Sequence, residues 1–284
     1  MDFSSCTLSN RYYGGTERKI GVIVNDEPYM LKFQKRTAFG VRFNHLSEHV
    51  GSRIFAYAGI SSQDTVLGTY KGEPVVACRD FLTENEQFVP FNDVGESTLD
   101  QDKESYQYEY DDIMRMLRDN SKLTDVEGTI AAFWKIFIVD ALIGNFDRHG
   151  GNWGFIKRSG RYRLAPVFDN GSCLFPNLLD DQMSRIISSD EETLKRVFEF
   201  PTSQVKLNSK KSSYYEVIHS LAFPECNKAL ANVMARLDMN AVHACIENLA
   251  GVSETRRSFY THMLDARHEL ILRSSYEKLM GGRS

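Results

Sequence analysis

Residues 129–143 read TIAAFWKIFIVDALI, an apolar run at helical length with no clear polar face. A helix of that kind offers no side to water, so it must sit inside a body built from other elements. The run stops at Gly144, a natural helix end. The twelve residues from Gly144 then read GNFDRHGGNWGF, and a short way on comes LAPVFDNGSCLF. Asp147, Arg148, His149 and Asn152 fall close together between glycines, and Asp169 follows in an isolated Asp-Asn-Gly. Polar residues packed so densely between apolar stretches are unsuited to a core. The pattern is that of a buried helix delivering a polar loop to a site.

A chain of 284 residues has room for one large domain or two lobes. Its upstream part reads differently from the helical body. RKIGVIVNDEPYMLKF (18–33) has two apolar runs about a turn at NDEP, and DTVLGTYKGEPVVACRDFL (64–82) has two more about KGEP; both predict β-hairpins. Between them, NHLSEHVGSRIFAYA (44–58) places Leu46, Val50, Ile54 and Tyr57 on one helical face, with Gly59 as its stop. The expectation is a small β-rich lobe with one main helix over 1–83, a polar acidic linker over 84–125, and a mainly helical lobe over 126–284. WGFI after Asn152 and YRLAPVF before Asp169 predict a short hairpin joined at KRSGR, which brings those two residues to one end. Beyond Phe175 helices dominate, with loops expected near 200–213 and around Pro224.

Composition narrows the function classes. A net charge of −4 argues against a broad basic surface for nucleic acid. Five scattered cysteines without a CxxC predict reduced thiols. The start, MDFSSCTLSNRYYGG, lacks a basic-then-apolar signal, and no apolar run reaches the ~20 residues of a membrane span. A cytoplasmic protein is expected, with export by a specialised route left open.

The loop chemistry suits phosphoryl transfer, which needs a held nucleotide triphosphate, magnesium, and an oriented acceptor hydroxyl. Magnesium takes oxygen ligands and usually only one or two protein carboxylates. Asp147 can accept the hydroxyl proton, while Asn152 and Asp169 can hold the metal. Gly150, Gly151 and Gly154 are expected to let the backbone approach ligand and metal.

NFDRHGGN, a hairpin, then PVFDNG resembles the protein-kinase-like superfamily and, within it, the HipA-type serine/threonine kinases of bacteria. Asn145, Asp147, His149 and Asn152 match that family's N-D-x-H-x-x-N element, and Asp169 stands where the second metal-binding aspartate belongs. The resemblance implies an α+β, two-lobed protein-kinase-like fold, with ATP and Mg2+ as cofactors and protein Ser or Thr hydroxyls as acceptors, Tyr included as an alternative. It implies that Gly14, Gly15 and Thr16 in YYGGTER cover the phosphates, with Thr16 a candidate for autophosphorylation. Lys32 in YMLKF would hold the α- and β-phosphates, with Glu48 as its ion-pair partner. Cys78, Arg79, Asp80 and Phe81 would form the hinge at adenine. His149 falls among the nucleotide-site residues, bonding the loop rather than carrying protons. Arg148 is read as a solvated residue, with a phosphate contact as the alternative.

The longer HipA toxins carry a subdomain ahead of the glycine-rich segment, and this chain opens almost at that segment. Docking of an antitoxin or other regulator through such a subdomain is therefore in question. DRH…N…DNG is shared loosely with phosphoinositide kinases. A lipid acceptor, nucleotidyl transfer on the same fold, and an ATP-binding pseudokinase acting as an interaction module stay open at this stage.

Overall fold

The computed structural model describes residues 1–11, 13–14, 18–38, 40–94 and 108–282. Strands β1 (Thr7–Leu8), β2 (Lys19–Val24) and β3 (Glu27–Phe33) are followed by a small pair, β4 (Arg36–Thr37) with β5 (Gly40–Val41). Helix α1 (Asn44–Tyr57) comes next, then β6 (Thr65–Tyr70) and β7 (Glu73–Arg79). The main sheet has the order β1-β2-β3-β7-β6. Its two hairpins turn at Asn25-Asp26 (φ 49° and 63°) and Lys71-Gly72 (φ 52° and 80°). Two successive left-handed residues match the twist of the strands they join, so Glu27 and Pro28 of the expected NDEP turn already belong to β3.

Alternation divides the sheet's side chains between two faces. Val22, Leu31, Phe33, Val75 and Ala77 form one small core, closed by Phe3, whose backbone N–H donates to Thr69 O at 2.8 Å. Met30, Lys32, Val76 and Cys78 lie on the other face. Lys32 is thereby turned away from the small core.

The polar stretch after β7 holds an element that the sequence pattern hid. Gln87–Pro90 is a strand, β8, and it pairs with β9 (Gly154–Arg158), which pairs with β10 (Arg161–Leu164). Four residues amid acidic and polar neighbours are too short to show a period, and the partner strand is remote in sequence. The predicted hairpin itself forms β9 and β10, with its turn at Ser159-Gly160.

Beyond lie α2 (Tyr110–Asp119), α3 (Val126–Ile143), α4 (Asp180–Ile187), α5 (Asp190–Phe198), α6 (Tyr214–Ser220), α7 (Pro224–Met234), α8 (Met239–Glu247) and α9 (Glu254–Arg267). A wider π-type turn at His268–Arg273 leads into α10 (Ser274–Gly281). Helix α3 is the central post. Asp125 caps its start by accepting from Gly128 N at 2.8 Å, and Gly144 ends it at φ 61°. Pro224 is not in a loop; it occupies the first turn of α7, where its missing N–H costs nothing. Between α5 and α6, Lys206–Leu207 pairs with Lys210–Lys211 in a miniature hairpin. All five cysteines are free thiols. Among the described residues, no helix is long and apolar enough to cross a membrane.

Candidate active site

Of the charged residues in helix α3, Glu127, Lys135 and Asp140, only Asp140 is buried. Asp140 is 1% exposed, and a buried carboxylate needs charged or hydrogen-bonded partners. Arg148 supplies the charge: its Nε and Nη2 reach the two Asp140 oxygens at 3.0 and 3.1 Å. Arg148 is itself 6% exposed, so the solvated role expected from sequence is overturned. Asn145 adds a donor to Asp140 Oδ1 at 2.9 Å, and its own Oδ1 accepts from Asp147 N at 3.1 Å. Tyr214 Oη donates to Asn145 O at 2.8 Å. The backbone that carries Asp147 is thus tied to the end of α3 and to α6.

Arg148 also reaches forward. Its Nη1 donates to Asn152 O at 3.0 Å and to Phe168 O at 2.5 Å, and Nη2 donates to Asn170 Oδ1 at 2.5 Å. One guanidinium therefore binds both the loop carrying Asn152 and the segment carrying Asp169. Burial works against its charge, but Asp140 outweighs this and holds its pKa above the ordinary value. Asn152 Nδ2 donates to Asp147 O at 2.8 Å, which leaves its amide oxygen for other use. The Asp147 side chain is 42% exposed. Its pKa is raised, chiefly by partial burial, with His149 opposing and Asp169 adding to the rise.

Two of the loop glycines leave room for neighbouring chain. A Cβ at Gly150 would stand 1.9 Å from Asn92 Oδ1, and one at Gly154 would stand 2.3 Å from Val89 O. They admit β8 and the residues after it. Gly151 N donates to His149 Nδ1 at 3.0 Å, so the His149 ring bonds its own loop.

Asp169 sits at φ 58°, a left-handed conformation uncommon outside glycine and better tolerated by Asp than by most side chains. Lys32 Nζ meets Asp169 Oδ1 at 2.9 Å and Glu48 Oε2 at 3.0 Å. The other Glu48 oxygen, Oε1, accepts from Asn170 N at 3.1 Å. Strand β3, helix α1 and the segment after β10 therefore meet at one lysine. Burial opposes the Lys32 charge, yet the carboxylates of Asp169 and Glu48 hold its pKa well above the ordinary value. Lys32 in turn lowers the pKa of Asp169.

At the hinge, Cys78 is buried, and burial pushes its thiol pKa up. The Arg79 guanidinium pairs with Glu27 at 2.9 Å and Asp64 at 3.7 Å. Asp80 Oδ2 takes Arg11 Nη1 at 2.5 Å and Tyr13 Oη at 3.1 Å, which straps the N-terminal segment to the hinge. Gly14 O accepts from Lys19 Nζ at 2.5 Å. Gly15 and Thr16 lie outside the described residues. Phe81 packs with Phe168 (ring centroids 5.8 Å apart) and Phe88 (6.2 Å), and Phe88 with Phe168 (5.1 Å), an aromatic group drawn from three separate segments.

Sequence reading missed Asp140, Asn170, Tyr214, Phe88 and Phe168 as parts of this site, and the structural role of Arg148. One signal was available: an aspartate set in the apolar run IFIVDALI demands a cation, and Arg148 lies just beyond the helix end.

A two-lobed α+β fold with a lysine–glutamate pair facing an Asp/Asn loop defines the protein-kinase-like class. The chain belongs to the family described as HipA-like C-terminal domain, whose model matches residues 12–248. It is similar to the serine/threonine-protein kinase CtkA of Helicobacter pylori, at 34% identity over 281 residues, covering 96% of this chain and 86% of the relative. The crystal structure of the H. pylori proinflammatory kinase CtkA matches with a TM-score of 0.94 and 32% identity, over 100% of this chain and 99% of that one. HipA of Shewanella oneidensis, solved with HipB and its operator DNA, shares the fold at a TM-score of 0.60 and 13% identity, over 96% of this chain and 68% of that one.

Proposed function

We infer that this chain is an ATP-dependent serine/threonine protein kinase of the HipA type. The observation that carries the reading is the Lys32 junction, at 3.0 Å from Glu48 and 2.9 Å from Asp169. It sets a cation beside a carboxylate that still presents a second oxygen, close to the loop of Asp147 and Asn152. Lys32, oriented by Glu48, binds the α- and β-phosphates of ATP. Asp147 orients the acceptor hydroxyl and takes its proton, a contribution of roughly 10²–10⁴-fold in rate.

The residues fit magnesium. Asp169 and the amide oxygen of Asn152 are hard oxygen donors, and two such protein ligands leave room for phosphates and waters. When bound, the ion neutralises charge on the transferring phosphoryl group. Adenine lies against the hinge. Asp80 O and Phe81 N are the backbone groups to meet it, since Arg79 N and Asp80 N already donate to Asp64 O and Pro28 O. Phe81, Phe88 and Phe168 form an apolar wall beside it. Gly14, Gly15 and Thr16 close over the phosphates. A regulator of the HipB kind is a candidate partner, to be sought by co-purification with the full chain.

The test is incubation with γ-labelled ATP and magnesium, with Asp147→Ala and Asp169→Asn alongside. Label on a protein acceptor or on the chain itself is expected for the wild type and for neither variant. ATP binding without label in the wild type would refute the kinase reading, and transfer of α-label would point to nucleotidyl transfer instead.

A further inference from the structure

Residues 200–214 clasp the catalytic loop from within the helical lobe. Gln204 Nε2 donates to Phe146 O at 2.5 Å, and Tyr214 Oη donates to Asn145 O at 2.8 Å. The Phe200 ring lies 5.9 Å from that of Phe146. All three contacts fall on the two residues just before Asp147. Ser203 N donates to Ser212 O at 2.9 Å and Ser212 N to Val205 O at 3.1 Å, which closes the base of the Lys206–Lys211 hairpin. The hairpin is therefore held in a defined place beside the loop.

What it presents is charged and uncompensated. Lys210 and Lys211 are exposed, and neither has an ion-pair partner among the described residues. The hairpin that carries them is anchored, through Gln204 and Tyr214 on either side of it, to the two residues just before Asp147. Phe200, on the same segment, is 50% exposed, unusual for a ring of that size. In a chain of net charge −4, two unpaired lysines and an open phenylalanine stand at the edge of the site. The nucleotide does not require them, because Lys32 already faces the phosphates in the reading above.

We propose that segment 200–211 is the acceptor-docking surface, and that it selects protein segments whose Ser or Thr is flanked by carboxylates. Lys210 and Lys211 pair with those carboxylates, and Phe200 with Phe146 receives an apolar neighbour of the acceptor. The proposal rests on the kinase reading. In the step it serves, the acceptor oxygen forms a bond to the γ-phosphorus, the bond from that phosphorus to the ADP oxygen breaks, and the hydroxyl proton passes to Asp147.

The experiment uses the full chain, γ-labelled ATP with magnesium, and three peptides that share one serine flanked by Asp/Glu, by Ala/Gln or by Lys/Arg. The wild type is expected to favour the acidic over the basic peptide by about tenfold in kcat/KM, mostly through KM, as two exposed charge pairs allow. Lys210→Glu with Lys211→Glu should invert that order, and Lys210→Gln with Lys211→Gln should flatten it. Melting temperatures near that of the wild type tie the change to charge rather than to unfolding. Self-labelling without preference among the peptides, or an order that survives charge reversal, overturns the proposal and leaves the kinase reading standing. No label on any peptide or on the chain itself overturns both.

Discussion

Arg148→Met separates the structural role of the central guanidinium from its role in placing the site. The substitution removes the charge while keeping an unbranched side chain. It strips Asp140, 1% exposed, of two charge-assisted hydrogen bonds and leaves it, among the described residues, only Asn145 as a side-chain donor. Breaking a buried pair by removing one partner costs about 3–5 kcal/mol. At roughly 2–3 °C per kcal/mol for a chain of this size, the melting temperature should fall by about 6–15 °C. Arg148→Met combined with Asp140→Leu should recover much of that loss, because apolar replacement of a whole buried pair is often near neutral. Activity should not follow stability. Both variants lose the donors to Asn152 O and Phe168 O, so the loop and the Asp169 segment are no longer held together. A displacement on the order of 1 Å costs about 10²-fold in rate. Thermal melting and γ-phosphoryl transfer measured on wild type, single and double variants decide the matter. A melting shift under about 2 °C for Arg148→Met, or full activity in a restabilised double variant, would refute the reasoning.

Three further outcomes are expected. Gly154→Ala puts a Cβ against Val89 O and Phe91 N, both backbone atoms, and should destabilise by about 1–3 kcal/mol; an unchanged melting temperature would count against the tight β8–β9 approach. His45 and His49 both have pKa values pushed down to about 4, first by burial, then by Arg256 and Arg53 respectively. Their folded pKa lies below the unfolded value, so the stability they contribute is whole above pH 6.5 and is lost as pH falls towards 4, by up to about 3 kcal/mol each. Melting temperature against pH should show this fall and His45→Phe should lessen it, whereas a flat profile would contradict it. Because the Asp147 pKa is raised and the carboxylate must be ionised to accept a proton, the acid limb of kcat/KM should lie above the ordinary value of 3.8. A limb at or below that value would remove Asp147 from the role of base.

Local pattern determined much of this protein. The hairpins at Asn25-Asp26 and Lys71-Gly72, the face of α1 and the length of α3 are each set by neighbours within a turn or a strand, so periodicity and turn chemistry reveal them. Asp147, Asn152 and Asp169 stood out for a different reason, the chemistry of their loop, and Lys32 and Glu48 joined them only through the resemblance to a kinase family. Tertiary structure alone decided what those residues touch. Strand β8 exists because β9 offers it hydrogen bonds from a remote part of the chain, and Gly150 and Gly154 are glycine because that segment passes within contact distance. Arg148 reads as a surface residue until α3 buries Asp140 beside it, and only then does it become the group that holds the loop of Asn152 to the segment of Asp169. Likewise, nothing in KLNSKK marks it as lying near the loop of Asp147. Packing of Gln204 and Tyr214 against the loop backbone puts it there. A sequence pattern reports the interactions of residues with their own neighbours. Charge burial and long-range pairing depend on which segments meet, and that is fixed when the lobes close around α3.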